Sequence, residues 1–485
     1  MYHILPYDYE NEIDWMVILI DNIKFLGLGQ YKDCIEVTSV IIGESQIDTW
    51  LKIIPTHVTI CPNCQMELRM SIKDHPTITI HHVNDKFKPI LLHVTNNRFI
   101  CPNCHKTFTP NLPFVFDDFK HISAPTILSI LNELKYTDHS LAEIARNHWV
   151  SDKTVARIFK ERVNFGHGIP TSYMCIDEKC YIHGNTKYCL PILDFETNRL
   201  IDICKDRHKR TLIDWLKFIR EYYILPPNET VSTNQKVQLK CICIDMSQNF
   251  YDAIKLIFPY VPIAVDSFHV VKLVIECLQT IRIKVMKKYY VEDLRFDAIT
   301  GELLDEELID ARQPVEYRAI KKYWKLLSLN KDITRLPSEQ KKYNIVISAY
   351  ADQADVLDFI LSIDDNLRLA WQLKERYCYF NRSATIDNAS DWLDEIIYDF
   401  AASKLKPFVD MARTLQHWKT EIIVSFTRIN GRRISNGPME GMNSSIEKLI
   451  VNGNGIPQLD TLRNRALLRF GKNSSYRLNP KKEIK

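Results

Sequence analysis

The chain has 485 residues, with 63 Lys and Arg against 60 Asp and Glu, a formal charge of +3. So near-neutral a total excludes nucleic-acid binding through bulk basicity and excludes an acidic solvating tail; 46% apolar and 25% charged residues are ordinary globular usage. The length predicts about three domains, and 13 glycines argue against glycine-paved repeats and loose linkers.

Residues 1–57 mix apolar and acidic side chains without a readable motif. Met1 to Glu12 is polar and acidic with no basic start, so no secretory leader is expected. The apolar patch from Ile13 to Leu28 is broken by Asp14, Asp21, Asn22 and Lys24 and does not read as a membrane span. Thirteen cysteines, an odd number, cannot all pair. The expectation is a reducing cytoplasm, where cysteine clusters mean metal or catalysis more often than disulfides.

Cys-Pro-Asn-Cys occurs twice, at Cys61–Cys64 and at Cys101–Cys104. Each pair offers two thiolates on a tight turn, and together they supply the four sulfurs of a tetrahedral zinc site. The 36 intervening residues exceed the usual spacing, but alternating stretches such as Thr77–Ile80 and Ile90–Val94 predict a small sheet between the pairs. Arg98-Phe99-Ile100 and Lys106-Thr107-Phe108 read as strands flanking a zinc ribbon, in which zinc is a structural staple. His75, His81, His82 and His93 are possible alternative ligands, each read singly as ordinary surface.

From Pro125 to Arg162 the pattern is helical. Leu141–Ala145 followed by Val150–Val155 predicts two helices about a tight turn, with Ala145 permitting a close crossing and Val155 and Ile158 in the core. Ser151 is the expected N-cap of the second helix. Its outward face offers Lys153, Ala156, Arg157 and Lys160 to a major groove. The turn position that favours glycine for a left-handed backbone is here Trp149.

Strands and helices alternate from Tyr173 to about Val271, and helical spacing dominates from there to about Phe426. Asp177 follows the apolar run Tyr173–Ile176, and Asp245 follows Cys241–Ile244. A carboxylate at the end of a buried strand costs free energy unless it is paired or holds a metal. Glu440 lies in Ser435-Asn436-Gly437-Pro438-Met439-Glu440-Gly441-Met442-Asn443, entering a helix expected to run through Leu449. Two strand-end aspartates and a helical glutamate can hold two Mg²⁺ ions (or Mn²⁺) through hard oxygen ligands, which is the arrangement for in-line phosphoryl transfer. Asn443, three residues after Glu440, shares its helical face and is expected to orient it or a phosphate.

Charge is zoned. Residues 419–485 carry 13 Lys and Arg against 5 Asp and Glu, a net of +8, which leaves 50 against 55, a net of −5, for the remainder. Arg428, Arg432, Arg433, Arg463, Arg465 and Arg469 are candidates for the DNA backbone.

Taken together, the run RFICPNCHKTF at 98–108, the paired helices at 141–160, Ile176-Asp177-Glu178, Asp245-Met246-Ser247, Phe258-Pro259, Asp266-Ser267-Phe268-His269, LAWQLKE at 369–375 and SNGPMEGMN at 435–443 resemble the DDE transposases of bacterial insertion sequences, in their zinc-ribbon branch, the ISL-three family. The resemblance runs from about residue 58 to 470. It implies that Asp177, Asp245 and Glu440 are the catalytic, magnesium-binding acids of an RNase H-like core, with Asp266 and His269 as an accompanying Asp-x-x-His signature. Leu449–Gly455 departs from the family by lacking its basic pair.

The expected architecture is therefore multidomain α/β. It comprises an N-terminal segment at 1–57, a zinc ribbon at 58–115 and a helix-turn-helix domain at 121–165. The first part of an RNase H-like core follows at 170–275, an all-α insertion at 276–429, and the core's C-terminal helix with the basic tail at 430–485. The resemblance implies a Mg²⁺-dependent enzyme of the bacterial cytoplasm, associated with the nucleoid. It binds terminal inverted repeats and target DNA as a homodimer, cuts the strands and joins them. The alternatives are a non-catalytic DNA-binding regulator carrying the same modules, marked by loss of one acid, and a metal-dependent nuclease without strand transfer.

Overall fold

The computed structural model describes residues 23–24, 26–54, 60–67, 69–82, 88–164, 170–181, 188–225, 236–297, 299, 301–334, 341–453, 455–456, 458–472 and 475–476. The leader reading of Met1 to Glu12 and most of the patch from Ile13 to Leu28 lie outside the described residues. Among the described residues no helix is long and apolar enough to cross a membrane, and none of the thirteen cysteines is in a disulfide. The chain is mixed α/β and divides into two compact units, Met1–Gly168 with Ile446–Lys485, and Ile169–Ser445.

The first unit opens with strands β1 (Ile35–Ile42), β2 (Ile47–Ile53), β3 (Ser71–Asp74), β4 (Thr77–His82), β5 (Ile90–Thr95), β6 (Arg98–Ile100) and β7 (Thr107–Phe108). Ile47 and Leu51 of β2, and Ile90, Leu92 and Val94 of β5, recur with period two and are buried on one face. The strands join in the order β1-β2-β5-β4, with β2 and β5 parallel. One sheet therefore crosses the boundary expected at residue 57. The apolar face of β2 shares one core with Leu92, Val94 and Phe114, which come after that boundary, as well as with Leu28 and Val37 before it. β3, β6 and β7 form a separate antiparallel sheet, with β6 and β7 at the two stretches read as ribbon strands.

His82 is not surface. It is fully buried, with Nδ1 against Ser123 Oγ and Nε2 against the Leu26 carbonyl, both at 2.7 Å. Burial pushes its pKa down to about 4. His93 meets Asp48 at 2.7 Å and stacks on Trp50, and His75 meets Asn97.

Three helices follow, α1 (Ala124–Tyr136), α2 (Leu141–Asn147) and α3 (Asp152–Arg162). Each begins on a serine, Ser123, Ser140 and Ser151, whose hydroxyl accepts a hydrogen bond from a backbone N–H of the first turn. Each such cap contributes about 1 kcal/mol. Between α2 and α3, Trp149 takes the left-handed conformation at φ 55°. Val150 N–H reaches the Ala145 carbonyl at 3.0 Å, and Trp149 N–H reaches that of Arg146 at 3.2 Å. This double closure is the one glycine usually makes. Here tryptophan makes it at a cost of about 1–2 kcal/mol.

The second unit is built on five strands, β8 (Tyr173–Ile176), β9 (Leu190–Asp194), β10 (Arg199–Cys204), β11 (Cys241–Ile244) and β12 (Ile263–Val265), ordered β10-β9-β8-β11-β12. β8, β9 and β10 are antiparallel, whereas β8, β11 and β12 run parallel. β8, β9 and β11 are almost wholly buried, which is why they read as continuous apolar runs rather than alternating ones. Helices α4 (Lys209–Tyr222) and α5 (Gln248–Ile257) bury Leu212, Leu216, Phe250 and Ile254 in one core with Ile176, Ile192 and Ile242. The helix α6 (Ser267–Lys288) then leads into a second core that includes α7 (Asp365–Ser383), α8 (Ala389–Ala402) and α9 (Lys406–His417). Helices dominate this stretch, but the short hairpin Lys342–Asn344 and Ala349–Ala351 interrupts it, so it is not wholly α. The boundary expected at 276 falls inside α6.

The division between the units falls within α10 (Gly437–Asn452). Its successor α11 (Leu459–Phe470) completes the first unit, where Leu468 joins the core formed by α1, α2 and α3.

Candidate functional site

The two Cys-Pro-Asn-Cys turns of the first unit are closed by equivalent bonds. Gln65 N–H reaches the Cys61 carbonyl, and His105 N–H reaches that of Cys101. Gln65 and His105 are both left-handed, at φ 59° and 58°. The turns bring all four sulfurs within 4.8 Å of one another. Cys61 and Cys104 are 3.7 Å apart at Sγ, as are Cys64 and Cys101. A Zn–S bond of about 2.3 Å at the tetrahedral angle requires about 3.8 Å between sulfurs. The sulfur set therefore fits zinc.

The asparagine of each turn serves the other turn's sulfur. Asn63 Nδ2 lies 3.6 Å from Cys104 Sγ, and Asn103 Nδ2 lies 3.7 Å from Cys64 Sγ. Donors aimed at sulfur favour thiolate, the form that ligates metal. The Cys64 thiol is drawn down to about 6, by the Met66 backbone first and Asn103 next. Among the described residues no histidine joins the group.

In the second unit, Cys175 of β8 pairs with Cys243 of β11, and two residues further on each strand delivers an aspartate. Asp177 and Asp245 thus sit at neighbouring strand ends on the same edge. The segment 435–443 closes over them from 190 residues and more away. Asn443 Nδ2 donates to Asp177 Oδ2 at 2.9 Å and accepts at Oδ1 from the Tyr181 hydroxyl. Asn436 Nδ2 donates to Asp245 Oδ1 at 3.0 Å and to the Ile176 carbonyl at 3.4 Å. Its backbone N–H meets Asp266 Oδ1 at 3.0 Å.

Asp266 precedes α6 but makes no side-chain cap. Its other oxygen faces His269 Nδ1 at 3.0 Å, and the same Nδ1 lies 3.0 Å from Asp245 Oδ1. Burial first, and the Asp177 charge second, raise the Asp245 carboxyl to about 7. The hydrogen bond to Asp266 raises the imidazole of His269. Among the described residues, the acid-bearing group whose ligand atoms lie within 4.8 Å of one another is Asp245, Asp266 and His269.

Glu440 stands in the first turn of α10, exposed, and its carboxylate is not part of that group. Asn443 bonds Asp177 rather than Glu440. Asn436 and Tyr181 had no role in the sequence reading. Asn436 stands in the same SNGPMEGMN stretch as Glu440 and Asn443, but no local pattern singles it out.

The basic candidates separate by burial. Lys153, Arg157 and Lys160 are exposed along α3, with the Arg157 guanidinium 4.3 Å over the Phe119 ring. Arg465 is 4% exposed and donates to the carbonyls of Leu134 and His139. Burial pushes its pKa down to about 10. Arg433, half-buried and 3.6 Å over Phe426, donates to Asn381 and Ser425, and burial likewise lowers it to about 10. Both guanidiniums are engaged by groups inside the fold. Arg432 is exposed but holds Phe195 O and Asn198. Arg463 is half-buried beside Asn464, and Arg469 pairs with Asp138 at 3.1 Å. Arg428 is exposed and donates to the Gly431 carbonyl.

A family model of ISL3-type DDE transposases, described as Transposase, matches residues 174–466, more than half of the chain. The chain belongs to the ISL3-type DDE transposase family. The matched span takes in both strand-end aspartates, Asp266, His269 and the whole of α10, and leaves the transposase's four-sulfur cluster and α1–α3 outside. No curated protein matches the transposase sequence.

Proposed function

We propose that this transposase binds the terminal inverted repeats of its element, cuts a DNA strand at each end and joins the freed 3′-hydroxyl to target DNA. The proposed site comprises Asp177, Asp245 and Glu440. The observation that carries the reading is the pair of strand-end aspartates, each oriented by an asparagine of the segment that also carries Glu440. Glu440 lies one helical turn before Asn443, on the face of α10 that bonds Asp177, and it is exposed. The strand order β10-β9-β8-β11-β12, three antiparallel and then parallel, supports an RNase H-like core, with the helical stretch from α6 to α9 as its insertion.

The carboxylates of Asp177, Asp245 and Glu440 would hold hard divalent cations such as Mg²⁺, which would supply Lewis-acid stabilisation of charge on the scissile phosphate. The protein's own part is to hold that set still. Asn443, itself held by Tyr181, fixes the Asp177 carboxylate, and Asn436 fixes that of Asp245. Orientation of this kind supplies much of the catalysis in phosphoryl transfer.

Recognition falls to α2 and α3, read as a helix-turn-helix with Lys153, Arg157 and Lys160 toward the groove. Zinc at Cys61, Cys64, Cys101 and Cys104 holds the ribbon. Two repeat ends suit a homodimer. The test is cleavage and joining of duplexes carrying the element's own ends, in Mg²⁺, by the full chain and by Asp245→Ala. Repeat binding without cleavage by the unsubstituted chain would instead identify a DNA-binding regulator, and cleavage without joining a nuclease.

A further inference from the structure

The acids proposed for magnesium and the residues that stand closest together are different sets sharing one member. Asp245 is common to both, while Asp266 and His269 complete the compact one. Within it, His269 Nδ1 is 3.0 Å from Asp245 Oδ1 and 3.0 Å from Asp266 Oδ2. Adjacent ligand atoms of an octahedral ion with bonds of about 2.1 Å are separated by about 3.0 Å. Both oxygens stand from the nitrogen as neighbouring ligands would, and the ligand atoms of the three residues lie within 4.8 Å of one another. They are also spaced as an ion pair would be, and two features of the surroundings distinguish a cation site from that pair.

The first is Asn436. It is 2% exposed, its Nδ2 is bonded to Asp245, and its Oδ1 has no hydrogen-bond partner among the described residues. A buried carbonyl oxygen left unpaired costs about 1–3 kcal/mol. The same amide is bonded to Asp245 through Nδ2, so a hydrated cation beside that carboxylate would put a water donor within its neighbourhood. The second is charge. Asp177, Asp245 and Asp266 bring three carboxylates to this end of the sheet, and one imidazole cannot match the charge of all three. Arg433, the guanidinium that feels Asp266, donates instead to Asn381 and Ser425. Asp266 is 2% exposed and fixed by the Asn436 N–H, so it cannot swing to solvent.

We propose that Asp245, Asp266 and His269 form a divalent-cation site with a nitrogen ligand, His269 Nδ1, and that this site takes Mn²⁺ in preference to Mg²⁺. The inference rests on the proposed function for its cation and adds to it a ligand outside the three acids. Imidazole nitrogen suits transition metals, whereas Mg²⁺ favours oxygen and keeps its waters. On binding, Nδ1 gives its lone pair to the cation, the ring carries its proton on Nε2, and the Nδ1 proton leaves to solvent.

The test is electron paramagnetic resonance of the full, zinc-loaded chain titrated with Mn²⁺ alone. Pulsed spectra should show a ¹⁴N coupling that becomes a ¹⁵N coupling when the histidines are ¹⁵N-labelled. The coupling should vanish in His269→Gln and persist in Glu440→Gln, and Mn²⁺ affinity should fall about tenfold or more in both His269→Gln and Asp266→Asn. Because the unsubstituted chain gives the deciding spectrum, a variant that misfolds does not rescue or sink the idea. Bound Mn²⁺ without nitrogen coupling, lost in Asp177→Asn, would overturn this inference and leave the acidic site standing. No bound Mn²⁺ in the unsubstituted chain would overturn both.

Discussion

At the scale of single residues, the molecule repeatedly puts a carboxylate under several donors. Glu133 on α1 is the clearest case away from the strand-end acids. Its oxygens meet His139, His148 and Asn147, each at 2.7 Å. Burial alone would raise it, but the bonds to His148 and His139 prevail and hold it near 2, against an ordinary 4.5. A carboxyl depressed in the folded state stabilises fully above its unfolded pKa and loses that contribution as pH falls through the folded one. Glu133→Gln should therefore cost roughly 1–3 kcal/mol near neutral pH. In urea unfolding the gap between variant and parent should narrow from pH 4.5 down to about 2.5; a constant gap would contradict the assignment. Asp177 and Asp245 were legible in the sequence because an apolar strand ending in an acid is a local pattern. Asn436 was not, because its bond to Asp245 joins positions that only the folded chain brings together.

At the scale of elements, the two Cys-Pro-Asn-Cys turns and the α2–α3 turn share a device, a left-handed residue where glycine is easiest. Gln65, His105 and Trp149 all occupy such positions. His105 is exposed, so His105→Gly relieves strain without removing packing. It should raise the thermal midpoint modestly, by the equivalent of about 0.5–1 kcal/mol; a lower midpoint would contradict the strain reading. Metal analysis of the full chain should find about one zinc, lost in Cys104→Ala, and an equal zinc content in that variant would refute the four-sulfur site.

Helix arginines illustrate what sequence cannot separate. Arg157 and Arg465 look alike in a basic helical pattern, but one lies along an exposed face and the other is enclosed by carbonyls of Leu134 and His139. Burial depends on which segment packs against the helix, and that partner lies more than 300 residues away in the chain. Arg157→Ala should weaken repeat binding and reduce its salt dependence by about one phosphate contact. Arg465→Ala should instead lower the unfolding midpoint. Reversed outcomes in binding and melting experiments would overturn the sorting.

At the scale of the whole molecule, the near-neutral total charge conceals division of labour. The family match covers the sheet with its aspartates and the α10 segment, whereas the sulfur cluster and α1–α3 belong to the other unit. The alternation of strands and helices was legible, as was the helical stretch after them. The interleaving was not: β2 pairs with β5 across an expected boundary, and α11 joins the core of α1–α3 rather than standing as a loose basic tail. Both depend on pairings between distant segments, which local period and composition do not encode. Glu440 was legible as the acid of a helix entry, and the family resemblance grouped it with the two aspartates; its exposed carboxylate stands apart from the compact group at Asp245. The central claim is that the strand-end acids cut DNA. Its most direct measurement is the single-turnover rate of strand cleavage at the element's ends in Mg²⁺ for Asp245→Asn. A fall of about a thousandfold or more with repeat binding unchanged is the predicted result, and a rate within tenfold of the parent would contradict it.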